Sequence, residues 1–231
     1  MKKIIKNTYN KLNNYVAKLA NKSMYKRGLI SEIEYELRNE FLDEVEQFGT
    51  DDFYQNYPPL KISGKRNSIS RFKVYGMDRM LKKNYEILDI GGNIGFFSLY
   101  LSRFVKSIDL VEQNSHLTNI GKKLAEYENI ENVKIINEDF KKFKTTRKYD
   151  LIMSLAIHRW VGTSLDKYLE KIHSHLKKEG LLLMESHIIY CNEGDYLLPK
   201  LEKNEKFEII DKGDIDDHDG KYREFFWLKA K

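Results

Sequence analysis

The sequence lacks features that several classes of protein need. Its single cysteine, Cys191, excludes a disulfide framework and any zinc or iron–sulfur site built from several cysteines. The longest apolar runs, at residues 180–184 and 225–228, are far shorter than a membrane-spanning helix. The start is rich in lysine and asparagine and contains no apolar block followed by a cleavage site, so we reject a signal peptide. We therefore expect a cytoplasmic protein without a transmembrane segment.

The composition is that of a folded protein. Of the 231 residues, 41% are hydrophobic and 13% are aromatic, which excludes a wholly disordered chain. A chain of this length can fold as a single domain. The oligomeric state is left open by the sequence.

Charge is concentrated before residue 84. Residues 1–27 contain eight basic side chains and no acidic one, while residues 28–52 contain nine acids and only Arg38 as a base. Apolar residues of the first segment recur every three or four positions, which predicts an amphipathic helix. We expect this helix to pack on the domain and expose its lysines, although a basic amphipathic helix can also lie on an anionic membrane or a nucleic acid. Ser31 and Glu34 form a capping-box pattern that predicts a second helix over residues 31–48.

The pattern changes after residue 84. Short apolar runs predict strands at residues 85–90, 107–111, 133–136, 151–155 and 181–185. Helical stretches at residues 96–104, 117–127 and 165–176 lie between them. Apolar strands that alternate with helices indicate an α/β fold with a doubly wound, mostly parallel sheet. Residues 207–210 and 222–228 predict an antiparallel hairpin at one sheet edge. We divide the chain into a helical extension and lid (1–83) and a core domain (84–231).

A glycine-rich loop follows the first strand of the predicted sheet. The strand ends near Asp89, and the chain then passes through Gly91, Gly92 and Gly95 into a helix. Glycines let the backbone turn tightly and approach a ligand, and the helix start offers free N–H groups to an anion. Such a loop is compatible with several nucleotide-binding families, so it does not by itself identify the ligand.

Two acidic residues narrow the interpretation. Glu112 ends the second strand, where a carboxylate can accept hydrogen bonds from both hydroxyls of an adenosine ribose. Asp139 follows the third strand, in position to meet an exocyclic amine such as that of adenine. Three carboxylates, counting Asp89, thus end three successive strands, which favours a ligand site over a fold without one.

Three sequence pieces together resemble the class I S-adenosylmethionine-dependent methyltransferases. They are Asp-Ile-Gly-Gly-Asn-Ile-Gly at 89–95, Val-Glu-Gln at 111–113 and Asn-Glu-Asp-Phe at 137–140. The family more often has glycine where this chain has Asn93, a residue that tolerates left-handed backbone conformations. A nicotinamide-dependent dehydrogenase fits less well, because its Gly-x-Gly-x-x-Gly spacing is absent here.

The resemblance covers about residues 85–231 and implies a Rossmann-like methyltransferase fold with S-adenosylmethionine (SAM) as cofactor. In the family the acid that matches Asp89 lies near the methionine part of the donor. The cofactor-binding residues that the resemblance implies are Asp89, Gly91, Gly92, Asn93, Gly95, Phe96, Glu112, Gln113, Asp139, Phe140 and Ser154.

Acceptor residues are sought beyond the fourth and fifth strands, where open α/β sheets bind ligands. His158 is the first candidate for a catalytic base and His187 the second, because imidazole titrates near neutral pH. Glu185 could orient either ring or hold a sugar hydroxyl. Each histidine could equally make a structural hydrogen bond. The spacing of the three residues matches no standard metal motif, so we predict no metal.

Aromatic and basic residues before the first strand are candidate substrate-binding residues of a lid. They are Tyr54, Tyr57, Arg66 and Arg71, and we add Trp160 as a wall against which an acceptor could stack. Either arginine could hold a phosphate or carboxylate in a bidentate way, although solvated surface charge explains them equally well.

Three functions remain open. We favour an O-methyltransferase that acts on a small anionic molecule or a saccharide, such as a nucleotide-linked sugar or a surface glycan. An RNA methyltransferase is the first alternative, because the start of the chain is basic and residues 154–161, followed by 165–186, faintly resemble the equivalent stretch of methyltransferases that cap the terminal phosphate of RNA. The second alternative is a protein that binds SAM without catalysis.

Overall fold

The structure is a computed structural model that describes residues 2–43, 52–186, 193–216 and 222–231. Within these ranges, seven strands form one sheet. The strands are β1 Glu86–Ile90, β2 Ser107–Glu112, β3 Val133–Asn137, β4 Tyr149–Leu155, β5 Leu176–Glu185, β6 Phe207–Asp216 and β7 Tyr222–Ala230. Their spatial order is β3-β2-β1-β4-β5-β7-β6.

The sheet is parallel over five strands and antiparallel at one edge. Strands β3, β2, β1, β4 and β5 are parallel, while β7 pairs antiparallel with both β5 and β6. The predicted doubly wound sheet with an antiparallel edge hairpin is therefore confirmed. The chain order reverses between β1 and β4, which in such sheets opens a crevice at the carboxyl ends of the strands.

Nine α-helices are described around this sheet. They are α1 Lys2–Lys26, α2 Glu32–Phe41, α3 Ser68–Val74, α4 Met77–Met80, α5 Phe96–Leu101, α6 Ser115–Tyr127, α7 His158–Val161, α8 Leu165–His175 and α9 Glu193–Glu202. Hydrophobic clusters cover both faces of the sheet. One cluster includes Leu37 and Phe53 from the extension together with Ile87 and Leu110 from the sheet, so the extension and the sheet share a core.

Side-chain caps explain where several helices begin. Ser31 Oγ accepts a hydrogen bond from Glu34 N at 3.2 Å, and Asn114 Oδ1 accepts from His116 N and Leu117 N. Each of these caps satisfies an N–H group that has no partner inside its helix. The predicted second helix is shorter than expected, because α2 ends at Phe41.

Helix α1 differs from the expectation in how it is oriented. Its apolar residues Leu12, Val16 and Leu19 are exposed, whereas polar residues of the same helix contact the chain after α2. The expectation that the apolar face packs on the domain was therefore wrong for this part of the helix.

No helix in the described parts of the chain is both long enough and apolar enough to cross a bilayer.

Candidate active site

The loop between β1 and α5 forms the centre of the site. Gly91, Asn93 and Gly95 adopt φ values of +69°, +59° and +91°, all in the left-handed region. A Cβ atom on Gly91 would lie 2.4 Å from Ile157 Cγ1, and one on Gly92 would lie 2.6 Å from Asp89 Oδ2. A side chain at either position would therefore force Ile157 or Asp89 to move, and at Gly91 the left-handed backbone disfavours other residues as well. Asn93 accepts the left-handed conformation that we anticipated for it.

Asp89 lies on β1 beneath this loop and is buried. Its Oδ2 accepts a hydrogen bond from Ser98 Oγ at 2.6 Å. Burial raises the pKa of Asp89 to about 6; the nearby negative charge of Glu112 adds to this rise, and the bond from Ser98 opposes it. The carboxyl group therefore changes its charge not far below neutral pH.

Glu112 is the last residue of β2 and joins the loop to the next strand. Its carboxylate accepts hydrogen bonds from Asn93 N at 3.2 Å and from Asn114 N at 2.9 Å. Burial raises the pKa of Glu112, although these backbone bonds act in the opposite direction. Each carboxylate oxygen has two lone pairs, so Glu112 can accept further hydrogen bonds from a ligand.

A first cleft, with about 340 Å³ of empty space, opens on one side of the loop. Glu112, Gln113 and Asp139 contribute polar groups to it, while Phe140 and Ile157 contribute apolar walls. Its other lining residues are Ile90, Gly91, Val111, Glu138, Trp160 and Val161. The ends of β2 and β3 thus meet the start of α7 around one concave, partly apolar surface.

A second cleft, with about 360 Å³ of empty space, opens on the other side of the same loop. It lies at the point where the strand order reverses, since its lining includes Asp89 from β1 and Leu155 from β4. Tyr54, Gln55 and Arg71 come to it from the extension. Its remaining lining residues are Gly91, Gly92, Asn93 and Phe97. The glycine loop therefore separates two clefts and contributes to both.

The comparison with known proteins now identifies the domain. A sequence model of the methyltransferase domain family matches residues 39–210, which is well over half of the chain. The chain belongs to this methyltransferase family. The methyl donor of the family is S-adenosylmethionine, as the resemblance implied.

Two curated relatives are methyltransferases that match only in part. Malonyl-[acyl-carrier protein] O-methyltransferase 2 of Ilyobacter polytropus is 32% identical over 105 residues, which cover 44% of this chain and 39% of that protein. Pavine N-methyltransferase of Thalictrum flavum subsp. glaucum is 26% identical over 142 residues, which cover 57% of this chain and 38% of that protein. The match thus spans less than half the length of either relative.

The fold is shared with solved methyltransferases. One is a SAM-dependent methyltransferase from Thiobacillus denitrificans in complex with S-adenosyl-L-homocysteine. The two chains superpose with a TM-score of 0.58 at 13% identity, over 70% of this chain and 91% of the other. The Rossmann-like methyltransferase fold is therefore confirmed.

The candidate cofactor residues divide between the two clefts and the core. Glu112, Gln113, Asp139 and Phe140 line the first cleft, Asp89, Gly92 and Asn93 line the second, and Gly91 lines both. Gly95 caps α5, and Phe96 packs against the rings of Phe53 and Tyr57. Ser154 lines neither cleft; its buried Oγ lies 2.8 Å from Tyr168 OH.

The candidate substrate residues are also separated. Tyr54 and Arg71 line the second cleft, whereas Trp160 lines the first. The guanidinium of Arg66 lies 4.0 Å from the centre of the Tyr54 ring, in a cation–π contact. Tyr57 is fully buried, and its hydroxyl donates to Glu128 Oε2 at 3.2 Å.

Glu185 lies in a buried cluster with two arginines. Its Oε2 accepts from Arg71 Nη1 at 2.9 Å and from Tyr75 OH, and its Oε1 accepts from Arg223 Nη1 at 3.0 Å. Arg223 also donates to Tyr54 OH at 3.3 Å. The partners described for Glu185 are thus arginines and a tyrosine, where the sequence suggested an imidazole or a sugar hydroxyl. Glu185 lines neither cleft.

Of the two candidate bases, His158 and His187, the structure describes only the first. His158 begins α7 and is buried, and it lines neither of the two clefts. His187 lies outside the described residues.

Sequence reasoning missed Arg223 and Ile157. A weak signal existed for Arg223, because it is a basic residue two positions before the apolar run at residues 225–228. Ile157 lies close to Gly91, and the residue before it, Ala156, adopts a φ of +56°. That conformation is rare for alanine, and no pattern in the sequence signals it.

Proposed function

We propose that the protein transfers the methyl group of SAM to an oxygen atom of a small anionic or saccharide acceptor. In this proposal the adenosyl part of the donor lies in the first cleft and its methionine part crosses the glycine loop. The acceptor then lies in the second cleft. SAM would supply the electrophilic methyl group, and the protein's own residues would bind and orient the two reactants.

The chemistry of the first cleft supports the donor site. The two ribose hydroxyls of SAM are donors, and Glu112 has acceptor capacity left after its two backbone bonds. Asp139 offers acceptors to an exocyclic amine, and Phe140 and Ile157 offer apolar walls to a base. Asp89 would stand near the donor's ammonium group, which would favour the ionised form of its carboxyl.

Arg71 is the observation that most strongly supports an anionic acceptor. Its guanidinium is buried in the cluster with Glu185, and the residue also lines the second cleft. Arginine stays charged at any relevant pH and pairs in a bidentate way with carboxylate or phosphate. An acceptor that carries such a group would be held in one orientation, and positioning of this kind can lower the barrier by about 7–11 kcal/mol.

A carboxylate oxygen is the acceptor atom that the lining of the second cleft suits best. A carboxylate is already ionised at neutral pH, so its oxygen needs no base, whereas a saccharide hydroxyl benefits from one. No histidine is among the described residues that line this cleft. One relative is named as an O-methyltransferase of malonyl-[acyl-carrier protein], which agrees with oxygen as the acceptor atom.

The extension supplies three of the residues around the second cleft, which supports a role for residues 1–83 as a lid over the acceptor. The division of the chain into this lid and a SAM-binding domain at residues 84–231 is part of the proposal. A cytoplasmic location is also part of it, supported by the single cysteine.

A transfer assay with labelled SAM tests the proposal. Cell metabolites, glycans and RNA are offered as separate fractions, and we expect the label in small anionic molecules or saccharides. Label in RNA alone would favour an RNA methyltransferase, and SAM binding without any transfer would favour a non-catalytic protein. With an acceptor in hand and SAM at a saturating concentration, which keeps Asp89 ionised, a carboxylate should give a flat profile of kcat/KM for the acceptor above about pH 5. A hydroxyl that depends on a base should give a rise near pH 6.5.

The role of Arg71 is tested by Arg71→Lys, which keeps the charge but loses the bidentate geometry. We expect the acceptor KM to rise about tenfold while the affinity for SAM changes little. Arg103→Lys is the matched control, because Arg103 also pairs with a glutamate, Glu128, but lies outside both clefts. Equal acceptor KM values for both variants would contradict the proposed acceptor contact.

A further inference from the structure

Helix α1 turns apolar side chains toward solvent. Leu12, Tyr15, Val16 and Leu19 have exposed fractions of 59%, 62%, 56% and 49%. Their spacing of three and four residues places them on one side of the helix, where they form a continuous stripe. We call these four residues the apolar stripe. Scattered exposed apolar residues are common in proteins, but a stripe along one helix face indicates an interaction site.

The opposite side of α1 is the side bonded to the rest of the protein. Asn14 Nδ2 donates to Leu42 O at 2.9 Å, Lys18 pairs with Asp43, and Asn21 Nδ2 donates to Asn39 Oδ1 at 3.3 Å. These three residues stand two positions after Leu12, Val16 and Leu19 respectively. Two positions correspond to about 200° around a helix, so the polar contacts lie almost directly behind the apolar stripe.

This arrangement fixes which side of α1 is available. Turning the apolar stripe inward would break the contacts of Asn14, Lys18 and Asn21 and bring those polar groups into solvent. The helix is therefore held with its apolar side outward. An ordinary surface helix has the reverse orientation, with its apolar side on the core.

The charges beside the apolar stripe indicate what covers it. Lys22, Lys26 and Arg27 are exposed on the next turns, and residues 1–27 contain no acid. In a dimer formed through two α1 helices, these cations would face one another. RNA would satisfy the cations but would leave leucine and valine without apolar partners. An anionic bilayer surface offers both headgroup charges and an apolar layer beneath them.

We propose that α1 is a docking helix for a membrane surface that contains anionic phospholipids. The apolar stripe inserts between the acyl chains, and Lys22, Lys26 and Arg27 contact the phosphates. The inference is independent of the proposed acceptor, because it depends only on the orientation and charge of α1.

Vesicle flotation tests this proposal with the full chain. The vesicles are pure phosphatidylcholine or an equal mixture of phosphatidylcholine and phosphatidylglycerol. We expect the protein to float with the anionic vesicles, and the variant Val16→Gln with Leu19→Gln to bind them about tenfold more weakly or worse. The matched control is Tyr127→Gln with Ile210→Gln, which removes two exposed apolar residues elsewhere and should float like the unaltered protein.

A second variant separates the charge contribution. Lys22→Gln with Lys26→Gln should also weaken binding to the anionic vesicles several-fold, in proportion to the charge removed. Unchanged circular dichroism and unchanged SAM affinity show that each variant is folded. If the protein transferred no methyl group to any acceptor, the expected vesicle binding would be unchanged. The proposed function and the proposed membrane docking are therefore tested independently.

Four results would overturn the proposal that α1 docks on a membrane surface. One is the absence of flotation with anionic vesicles, and another is equal flotation of the unaltered protein and the Val16→Gln, Leu19→Gln variant. The third is a dimer by light scattering that this variant dissociates while no vesicle binding is seen, which would assign the stripe to a second copy. Binding to single-stranded RNA without vesicle binding would likewise assign the basic residues to nucleic acid.

Discussion

Arg71 and Glu185 are 114 residues apart in the sequence, yet Arg71 Nη1 lies 2.9 Å from Glu185 Oε2 in the interior of the protein. The pair joins the extension to the end of β5, and Arg223 binds the other carboxylate oxygen from β7. One carboxylate thus holds three parts of the chain together beside the second cleft.

Loss of this carboxylate should be costly. We expect Glu185→Gln to lower the free energy of unfolding by about 3–5 kcal/mol, because two buried guanidinium groups lose their counter-charge. Urea denaturation at neutral pH measures the change. Glu179→Gln is the control, since Glu179 lies on the same strand and pairs with Lys229 at the surface. A loss no greater for Glu185→Gln than for Glu179→Gln would show that the cluster does not hold the fold together.

The fold followed from the sequence where local patterns determine it. The short runs predicted as strands at residues 107–111 and 133–136 became β2 and β3 almost unchanged. β2 is buried along nearly its whole length, and β3 alternates between buried and exposed residues; both patterns are local signals of a strand. The end of β2 also placed Glu112 correctly beside the glycine loop. Periodicity and strand ends are local properties, so they can be predicted from the sequence.

Long-range contacts could not be obtained in this way. The sequence gives no reason to pair Glu185 with Arg71 or Arg223, because ion pairs between distant segments leave no periodic signal. It also did not indicate that α1 would turn its apolar side outward, since that choice depends on hydrogen bonds from Asn14 and Asn21 to the chain around α2. For the same reason, the sequence could not show that Glu185 binds two arginines or that Trp160 lines the first cleft.

The glycine loop gives a prediction with a close control. Gly91 and Gly28 both have positive φ, +69° and +67°, but a Cβ on Gly91 meets Ile157 while one on Gly28 meets nothing within 4 Å. We expect Gly28→Ala to cost about 1–2 kcal/mol of stability from backbone strain alone. Gly91→Ala should cost more and should also abolish tight SAM binding in calorimetry. If the two variants lose equal stability and Gly91→Ala binds SAM normally, the close approach to Ile157 has no importance.

Glu112 should determine the affinity for the methyl donor. We expect Glu112→Gln to weaken SAM binding about tenfold or more, because hydrogen bonds to a charged acceptor contribute roughly 1.5–3 kcal/mol each. Isothermal titration calorimetry measures the dissociation constant. Glu126→Gln, an exposed change on α6, should leave the affinity as it is. Unchanged affinity in Glu112→Gln would remove this residue from the donor site.

The raised pKa of Asp89 predicts how stability depends on pH. Its value of about 6 in the folded protein exceeds the ordinary value of 3.8, so the folded state binds the proton more tightly. The stabilisation is therefore complete below about pH 4 and is lost as the pH rises through about 6. Between these limits the free energy of unfolding should fall by about 3 kcal/mol from this group, while carboxylates with lowered pKa act in the opposite direction.

Comparison with Asp89→Asn isolates this contribution. Without SAM, the variant should be more stable than the unaltered protein at about pH 7, and this advantage should shrink toward about pH 4. Urea denaturation at several pH values measures both. Since burial also raises the pKa of Glu112, some of the same dependence should persist in the variant. An advantage that is constant across the range would contradict the raised pKa of Asp89.

Arg223 reaches Glu185 from β7, which lies between β5 and β6 in the sheet although it follows both in the sequence. During synthesis on the ribosome, β5 and the hairpin partner β6 emerge before the strand that must insert between them. A nascent chain that stops short of residue 223 exposes an open sheet edge and carries a glutamate with one of its arginines missing. The buried cluster that holds Arg71 in place is thus completed only when β7 has been translated.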